Sequence, residues 1–219
     1  MGQNAIQTFR SSFNAIWSLT LMNYPPKHHQ EHDINHMIEV IKTYPLATVV
    51  SVKNNEPFIT HLPLIYREHD KKLIGHIDLY NPQTELLKDN NEVSIIFSGP
   101  QCYISPSVYS TTQLPTWNYI KVHVKGKVTE VNDETKVKQS LVDMADFLEA
   151  PDHKYKLEID NPRMHGLINY IKGFEIDITA WEGKFKLSQD KKKTDIANAK
   201  AELIEANKAS IEAFLDRVF

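Results

Sequence analysis

The sequence predicts an α+β protein whose core is a small antiparallel β-barrel with flanking helices. Three observations lead there. Five or six short stretches alternate apolar and polar residues, as strands do. The first three are joined by short polar turns, which leave no room for the crossover helices of a parallel sheet. The helical stretches come late and between strands, an order that suits an α+β arrangement and not a doubly wound one.

The elements follow in chain order. After Pro25-Pro26, "HDINHMIEVIKTY" sets Ile34, Met37, Ile38 and Ile41 on one helical face. Asp33 suits the N-cap and Pro45 ends the helix, because the residue before a proline is pushed out of the α region. "LATVVSV" reads as a buried strand and "KNNE" as a turn. "PFITHLPLIY" is the next strand, with Phe58, Thr60, Leu62 and Leu64 on one face, and "KLIGHIDLY" is the third. "NPQTELLKDN" reads as a short helix with Asn81 at the N-cap and Pro82 in the first turn. "EVSIIFSG" is a buried strand, followed by the Pro- and Ser-rich excursion "PQCYISPSVYSTTQLPT".

"LPTWNYIKVHVKGKV" is a strand with two unlike faces. Asn118, Ile120, Val122, Val124 and Val128 face a core, and Trp117, Tyr119, Lys121, His123, Lys125 and Lys127 face away. "DETKVKQSLVDMADFLEA" is an amphipathic helix with Val137, Leu141, Met144, Ala145 and Leu148 on one side. "NPRMHGLINYIK" is a second short helix, and "GFEIDITAWEGKFKLS" returns to strand alternation. From Thr194 onward the chain is helical, with Ile196, Leu203, Ile211 and Phe214 inward.

The bulk numbers narrow the function. A chain of 219 residues makes one large domain or a domain with an appendage. The net charge is −3, so no global field draws it to nucleic acid or to an anionic membrane, and a role on DNA needs a local basic patch. Cys102 stands alone, which excludes an internal disulfide and reads as a buried thiol. No apolar run approaches the ~20 residues that span a bilayer. A cytoplasmic protein is expected, with residues 1–21 as an extension, 22–190 as the barrel domain and 191–219 as a C-terminal helix packed on it.

Several groups could carry chemistry. His28, His29, His32 and His36 crowd nine positions, and the i, i+4 pair His32/His36 has zinc spacing on a helix. No acidic third ligand accompanies them, so a solvated cluster is the plainer reading. His61, His76 and His123 each lie on a strand, opposite its apolar face. No G-x-S-x-G, G-x-x-x-x-G-K or G-x-G-x-x-G occurs, which removes the common hydrolase and nucleotide folds. The amides of Gln83 and Thr84, at a predicted helix start, could meet a phosphate. Lys184, Lys186, Lys191, Lys192 and Lys193 form a basic cluster that could meet phosphate from a cofactor or DNA, or simply face solvent.

Six stretches taken together carry a resemblance: "MNYPPKHH" at 22–29, "PFITHLPL" at 57–64, "GHIDLYNP" at 75–82, "IFSGPQCYISPS" at 96–107, "PTWNYIKVHVKG" at 115–126, and "GFEIDI" with "GKFKLSQ" within 173–189. In this order they resemble the PaiB family, described as FMN-binding negative transcriptional regulators. The resemblance implies a six-stranded antiparallel split β-barrel, the fold shared with pyridoxamine-phosphate oxidases and flavin reductases. It also implies a homodimer with FMN at the subunit interface, on the outside of the barrel. Carried onto this chain, the cofactor-binding set is Thr60, His61, His76, Asn81, Gln83, Trp117, Asn118, Tyr119, Lys121 and Lys186, with no catalytic residue and no metal ligand assigned.

The chain departs from the family at "DLYNP", where "ARANP" is usual, at Val108, where the family has "PSWY", and at Asp190, where it has Asn. In the related oxidases an Arg and a Lys open the helix that meets the flavin phosphate, and Pro82 and Gln83 stand at those places here. Helix-end amides, Lys184, Lys186 or Lys121 are then the substitutes. A flavin-dependent oxidoreductase, with His61, His76 or Tyr119 orienting a substrate, and a cofactor-free dimer acting through protein contacts are the alternatives to a regulator.

Overall fold

The structure is a computed structural model that describes residues 25–208. Seven strands make one sheet: β1 (Gln30–Glu31), β2 (Leu46–Lys53), β3 (Glu56–Arg67), β4 (Lys72–Asp78), β5 (Glu92–Ile104), β6 (Thr116–Val131) and β7 (Ile171–Lys186). Their order is β1-β7-β4-β3-β2-β5-β6, and β7 also pairs with β6. Six strands therefore close into a ring, and the two-residue β1 lies outside it. The expected six-stranded antiparallel barrel is present. β2, β3 and β4 form the expected meander, with Val49 opposite Thr60 and Leu64 opposite Gly75. Asn54 and Asn55 turn the first hairpin with positive φ angles of 54° and 65°, which asparagine tolerates better than most residues.

The described chain divides into a larger unit, residues 31–100 with 120–183, and a smaller one, residues 25–30, 101–119 and 184–208. In the larger unit the inward side chains Val49, Leu64, Leu73, Ile95, Phe97, Val122, Val124, Phe174 and Ile176 are fully buried or nearly so. Helix α1 (Ile34–Thr43) buries Met37, Ile38, Val40 and Ile41, and Asp33 caps it by accepting from the Asn35 amide at 2.8 Å. Ile34, expected inward, is about half exposed because it sits in the first turn. Helix α2 (Glu134–Glu149) is capped by Asp133 but buries only Val137. Leu141, Met144 and Ala145 are half-buried and Leu148 is exposed, so the apolar face read from the periodicity is covered only near its N-terminal end. Helix α3 (Pro162–Leu167) is the expected second short helix.

Two expectations need correction. Pro82–Glu85 is a four-residue 3-10 helix, shorter than the stretch expected to be helical. Asn81 caps it as expected, but Leu86 and Leu87 turn back to the Gln83 carbonyl and the segment ends there. The strand that begins at Glu92 does not stop before Pro100. It runs to Ile104, with buried positions resuming at Cys102 and Ile104 one residue out of phase with Val93, Ile95 and Phe97, so that the two ends of the strand bury different faces.

In the smaller unit, helix α4 (Lys193–Ala206) sets Ala199 and Leu203 against Cys102, Ile104 and Tyr109, with Val108 and Leu187 at the edge. Burial pushes the Cys102 thiol up, away from a reactive thiolate. Asp195 is fully buried and accepts from the Ser110 amide at 2.7 Å and from Thr111 Oγ1 at 3.2 Å. Those donors, the Ser110 amide first, hold its carboxyl below the usual range. Ile196 is half-buried, and Ile211 and Phe214 lie outside the described residues.

Glycine permits the closest strand approaches. A Cβ on Gly126 would strike Ile176 Cγ2 and come within 2.8 Å of the Asp177 carbonyl oxygen. Gly126→Ala is expected to cost about 1–3 kcal/mol, read as a lower urea midpoint at unchanged slope. Gly166→Ala, where a Cβ meets nothing, is the control and should leave the midpoint level or slightly raised.

Candidate functional site

The closed ring sends alternate side chains outward, and the outer face of β3, β2, β5 and β6 in the larger unit is unusual for what it exposes. The register places Leu46 opposite Pro63, Thr48 opposite His61, Val50 opposite Ile59 and Val52 opposite Pro57. On the other side of β2, Thr48 pairs with Ile96 and Val50 with Ser94. Leu46, Val52 and Ile59 are 62%, 64% and 57% exposed. Val50, Val52 and Ile59 are neighbours on this sheet face, with Leu46 beyond the polar pair Thr48 and His61, and exposed apolar neighbours of this kind mark an interaction surface more than single ones do. A cleft of about 450 Å³ opens beside Val50, Val52, Ser94, Lys125 and Thr179. That is the size range of small-molecule sites.

Lys121 stands on the same outer face. Its Nζ donates to Ser98 Oγ at 2.7 Å, and among the described residues no carboxylate pairs with it. Partial burial lowers its pKa. A partly desolvated ammonium set beside a hydroxyl, with no counter-charge, favours an incoming anion. Beside it His123 Nδ1 lies 3.0 Å from Glu182 Oε1, an exposed contact.

The other residues named from sequence fall in different places. His61 is exposed on the outer face, opposite Thr48. Thr60 points the other way and accepts from Asn81 Nδ2 at 3.0 Å. Gln83 is turned inside at 1% exposure, and its amide donates to the Val49 carbonyl at 3.1 Å and Ser51 Oγ at 3.0 Å. Gln83 thus braces the core from within. Its Oε1 has no partner among the described residues. The predicted anion site at the Gln83 and Thr84 amides is not formed. The Gln83 amide donates to Asn81 Oδ1 at 2.9 Å and the Thr84 amide to the Asn81 carbonyl at 3.0 Å, so a four-residue turn has spent its donors on its own cap.

His76 is not on an open face. Helix α2 covers it, and its Nε2 lies 2.7 Å from Ser140 Oγ, while Nδ1 is buried without a partner. Burial pushes its pKa down to about 4. His32 precedes the Asp33 cap and so lies outside α1, which breaks the helical zinc spacing with His36. His36 instead lies 3.0 Å from Glu31 Oε2, and that carboxylate raises its pKa. No cluster of three metal-ligating side chains occurs among the described residues.

In the smaller unit Trp117 is half exposed and tilts against Tyr103, with ring centroids 6.4 Å apart. Lys184 Nζ lies 5.4 Å from the Tyr119 ring centroid, within cation–π range. Asn118 is buried and holds Ser188 Oγ at 3.1 Å. Lys186 Nζ donates to Thr116 Oγ1 at 2.6 Å. The outward and inward faces read for "TWNYIKVHV" are therefore as expected. Sequence reasoning missed Ser98 and Ser140, the partners of Lys121 and His76, and the apolar outer face of β2. For the last a signal existed: "LATVVSV" is apolar at nearly every position, although an antiparallel strand needs only one apolar face.

A flavin needs donors for a phosphate and apolar or aromatic surface for its ring. The donor set fits at Lys121 with Ser98 and does not fit at the Pro82 turn. The outer face offers apolar side chains to a ring, and the cleft beside it adds polar ones, Asn91, Glu92, Ser94 and Lys125, next to Val50 and Val52. A family model described as "Putative FMN-binding domain" matches residues 23–180. The protease synthase and sporulation protein PAI 2 of Bacillus subtilis is 30% identical over 186 residues, covering 80% of this chain and 86% of that protein. Among solved structures, the FAD and heme binding protein of Mycobacterium smegmatis superposes with a TM-score of 0.60 at 17% identity, over 77% of this chain and 79% of that one. The flavocytochrome Anf3 of Azotobacter vinelandii gives 0.57 at 18% identity, over 77% and 75%. These two likenesses establish the fold.

His76 sets a pH dependence. Its folded-state pKa lies below the ordinary 6.5, so the unfolded chain binds the proton more tightly. Its contribution is whole above the ordinary value and is lost as pH falls towards about 4. Between pH 7.5 and 5 the expected loss is about 2 kcal/mol. Urea midpoints across that window should fall for the parent chain, and His76→Gln should remove this part of the slope.

Proposed function

Because this chain belongs to the FMN-binding domain family of PaiB type, we propose that it is a flavin-binding split-barrel protein that works as a pair of identical copies and acts as a negative regulator of transcription. The observation that carries the reading is the outer face of β2 and β3, which leaves Leu46, Val52 and Ile59 exposed, with Lys121 and Ser98 on the neighbouring strands. Paired copies would cover Leu46, Val52 and Ile59, which are otherwise left in water. At roughly 25 cal/mol per Å² of apolar area, covering such a face on two copies supplies a driving force that scattered residues cannot.

FMN is the cofactor of this reading. Lys121 and Ser98 would hold its phosphate, and the apolar side chains of the outer face would exclude water from its ring. When bound, the flavin supplies reversible electron transfer and a chromophore, and the protein supplies position and electrostatics. A regulatory role gains support from the family and none from net charge, so contact with DNA would rest on local lysines such as Lys125 and Lys127 on the outer face of β6.

The test is a flavin titration of the full chain, followed by absorbance near 450 nm, with mass measured by sedimentation. FMN is expected to bind a dimer. Lys121→Ala should weaken FMN roughly 10- to 100-fold, as for one lost charge-assisted contact, and leave riboflavin unchanged. Lys125→Ala should change either little. Ile59→Lys should shift the chain to monomer and lose FMN with it. A monomeric parent, or equal losses for FMN and riboflavin in Lys121→Ala, would reject the placement. A salt-sensitive gel shift on its own promoter tests the regulator, and bleaching of the flavin by NADPH would turn the reading towards an oxidoreductase.

A further inference from the structure

The smaller unit contains a cleft that the reading above does not use. It measures about 280 Å³ and is walled by side chains from three stretches of chain. We propose that this cleft, between His28, His29, Thr116 and Lys186, is a separate binding site for a small molecule that ends in an oxyanion.

Charge is the first argument. Lys186 and Lys191 both reach the cleft, as does Asp190. Lys191 Nζ lies 2.7 Å from Asp190 Oδ2, so that pair neutralises itself. Lys186 is left bonded to a hydroxyl, Thr116 Oγ1, and has no carboxylate partner among the described residues. An ammonium carries three donors and Thr116 uses one. The His28 and His29 rings stand edge to face, 4.1 Å apart, at the end of the short turn Lys27–His29. The wall is thus rich in donors, and its one unpaired charge is positive.

The cleft is also built and not merely open. Its floor is Tyr109 and Ser188, both buried. Ser188 holds a left-handed backbone at φ 63°, which costs a non-glycine residue energy and needs support. Support comes from its Oγ, 2.9 Å from Tyr109 Oη and 3.1 Å from Asn118 Nδ2. Leu114 and Pro115 form an apolar rim, and Leu114 is 83% exposed. An oxyanion at the donors with an apolar body against Leu114 matches that layout.

His29 reports on the site. Burial lowers its pKa first, and the neighbouring cations His28, Lys186 and Lys184 lower it further, while Asp190 opposes them. A bound oxyanion opposes those cations, so it must raise the pKa of His29, and by linkage binding must tighten as pH falls. The effect levels off once His29 is protonated in the free protein. Sulfate keeps its charge across neutral and mildly acidic pH, so it reads this linkage cleanly.

The experiment is a histidine-resolved NMR titration of the full chain with inorganic phosphate, sulfate and acetate, with and without FMN. His29 is expected to shift saturably with phosphate and sulfate, its pKa rising, and the two oxyanions should compete. Acetate binding as well would mark a general oxyanion site, and its absence a tetrahedral one, with either result in keeping with the proposal. Lys186→Ala should weaken binding about tenfold or more, and Lys186→Arg should restore most of it. Saturating FMN should leave the phosphate titration of His29 unchanged, which separates this site from that of the flavin. The proposal is overturned if phosphate leaves His29 unmoved, if Lys186→Ala binds it as the parent does, or if FMN displaces it competitively.

Discussion

Closure of the ring is the constraint on which everything else here depends. β7 pairs with β4 on one side and β6 on the other, so every strand from β2 to β7 has an inside and an outside. The inside is filled by Val49, Leu64, Phe97, Val124, Phe174 and their neighbours. That closure demands close backbone approach, which Gly75 provides against Leu64 and Phe174, and Gly126 against Ile176. With the ring shut, no inward residue can meet a ligand without emptying the core. Chemistry is confined to outward side chains and to the segments that leave the ring.

The polar residues sort by the same rule. Gln83 and His76 carry donors and acceptors that look functional in sequence, yet both are turned into packed regions and serve the fold. Gln83 ties the turn after β4 to Val49 and Ser51 on β2. His76 ties β4 to helix α2 through Ser140. Each keeps one buried polar atom without a partner, so each exchanges some hydrogen-bonding for a defined position. Lys121 and Lys186 show the opposite pattern. Both are lysines bonded to hydroxyls, whereas Lys42, Lys72, Lys88, Lys138 and Lys172 pair with carboxylates. A cation left without a counter-charge in a protein of net charge −3 stands out as a place for an anion.

The apolar outer face and the anion-seeking lysines suggest a division of labour. In the larger unit the outward surface of β2, β3 and β5 offers area, while Lys121 offers direction. In the smaller unit the residues after β5 and β7 build a walled cleft around Ser188, whose strained backbone is held by Tyr109 and Asn118.

Much of this was legible in the residues alone. Alternation in "TWNYIKVHVKGKV" assigned its two faces correctly, because a strand has a period of two whatever it packs against. Asp33 and Asn81 cap the segments they were expected to cap, since capping is local chemistry. The resemblance to a flavin-binding family rested on residue order and could be read without coordinates. What tertiary structure alone decided was partnership across distance. Whether His76 faced solvent depended on a helix 64 residues away, and whether Lys121 had a counter-charge depended on what β5 placed beside it. A period can say which way a side chain points from its own strand, but only the packed chain says what waits there, and that neighbour decides between a brace and a binding group.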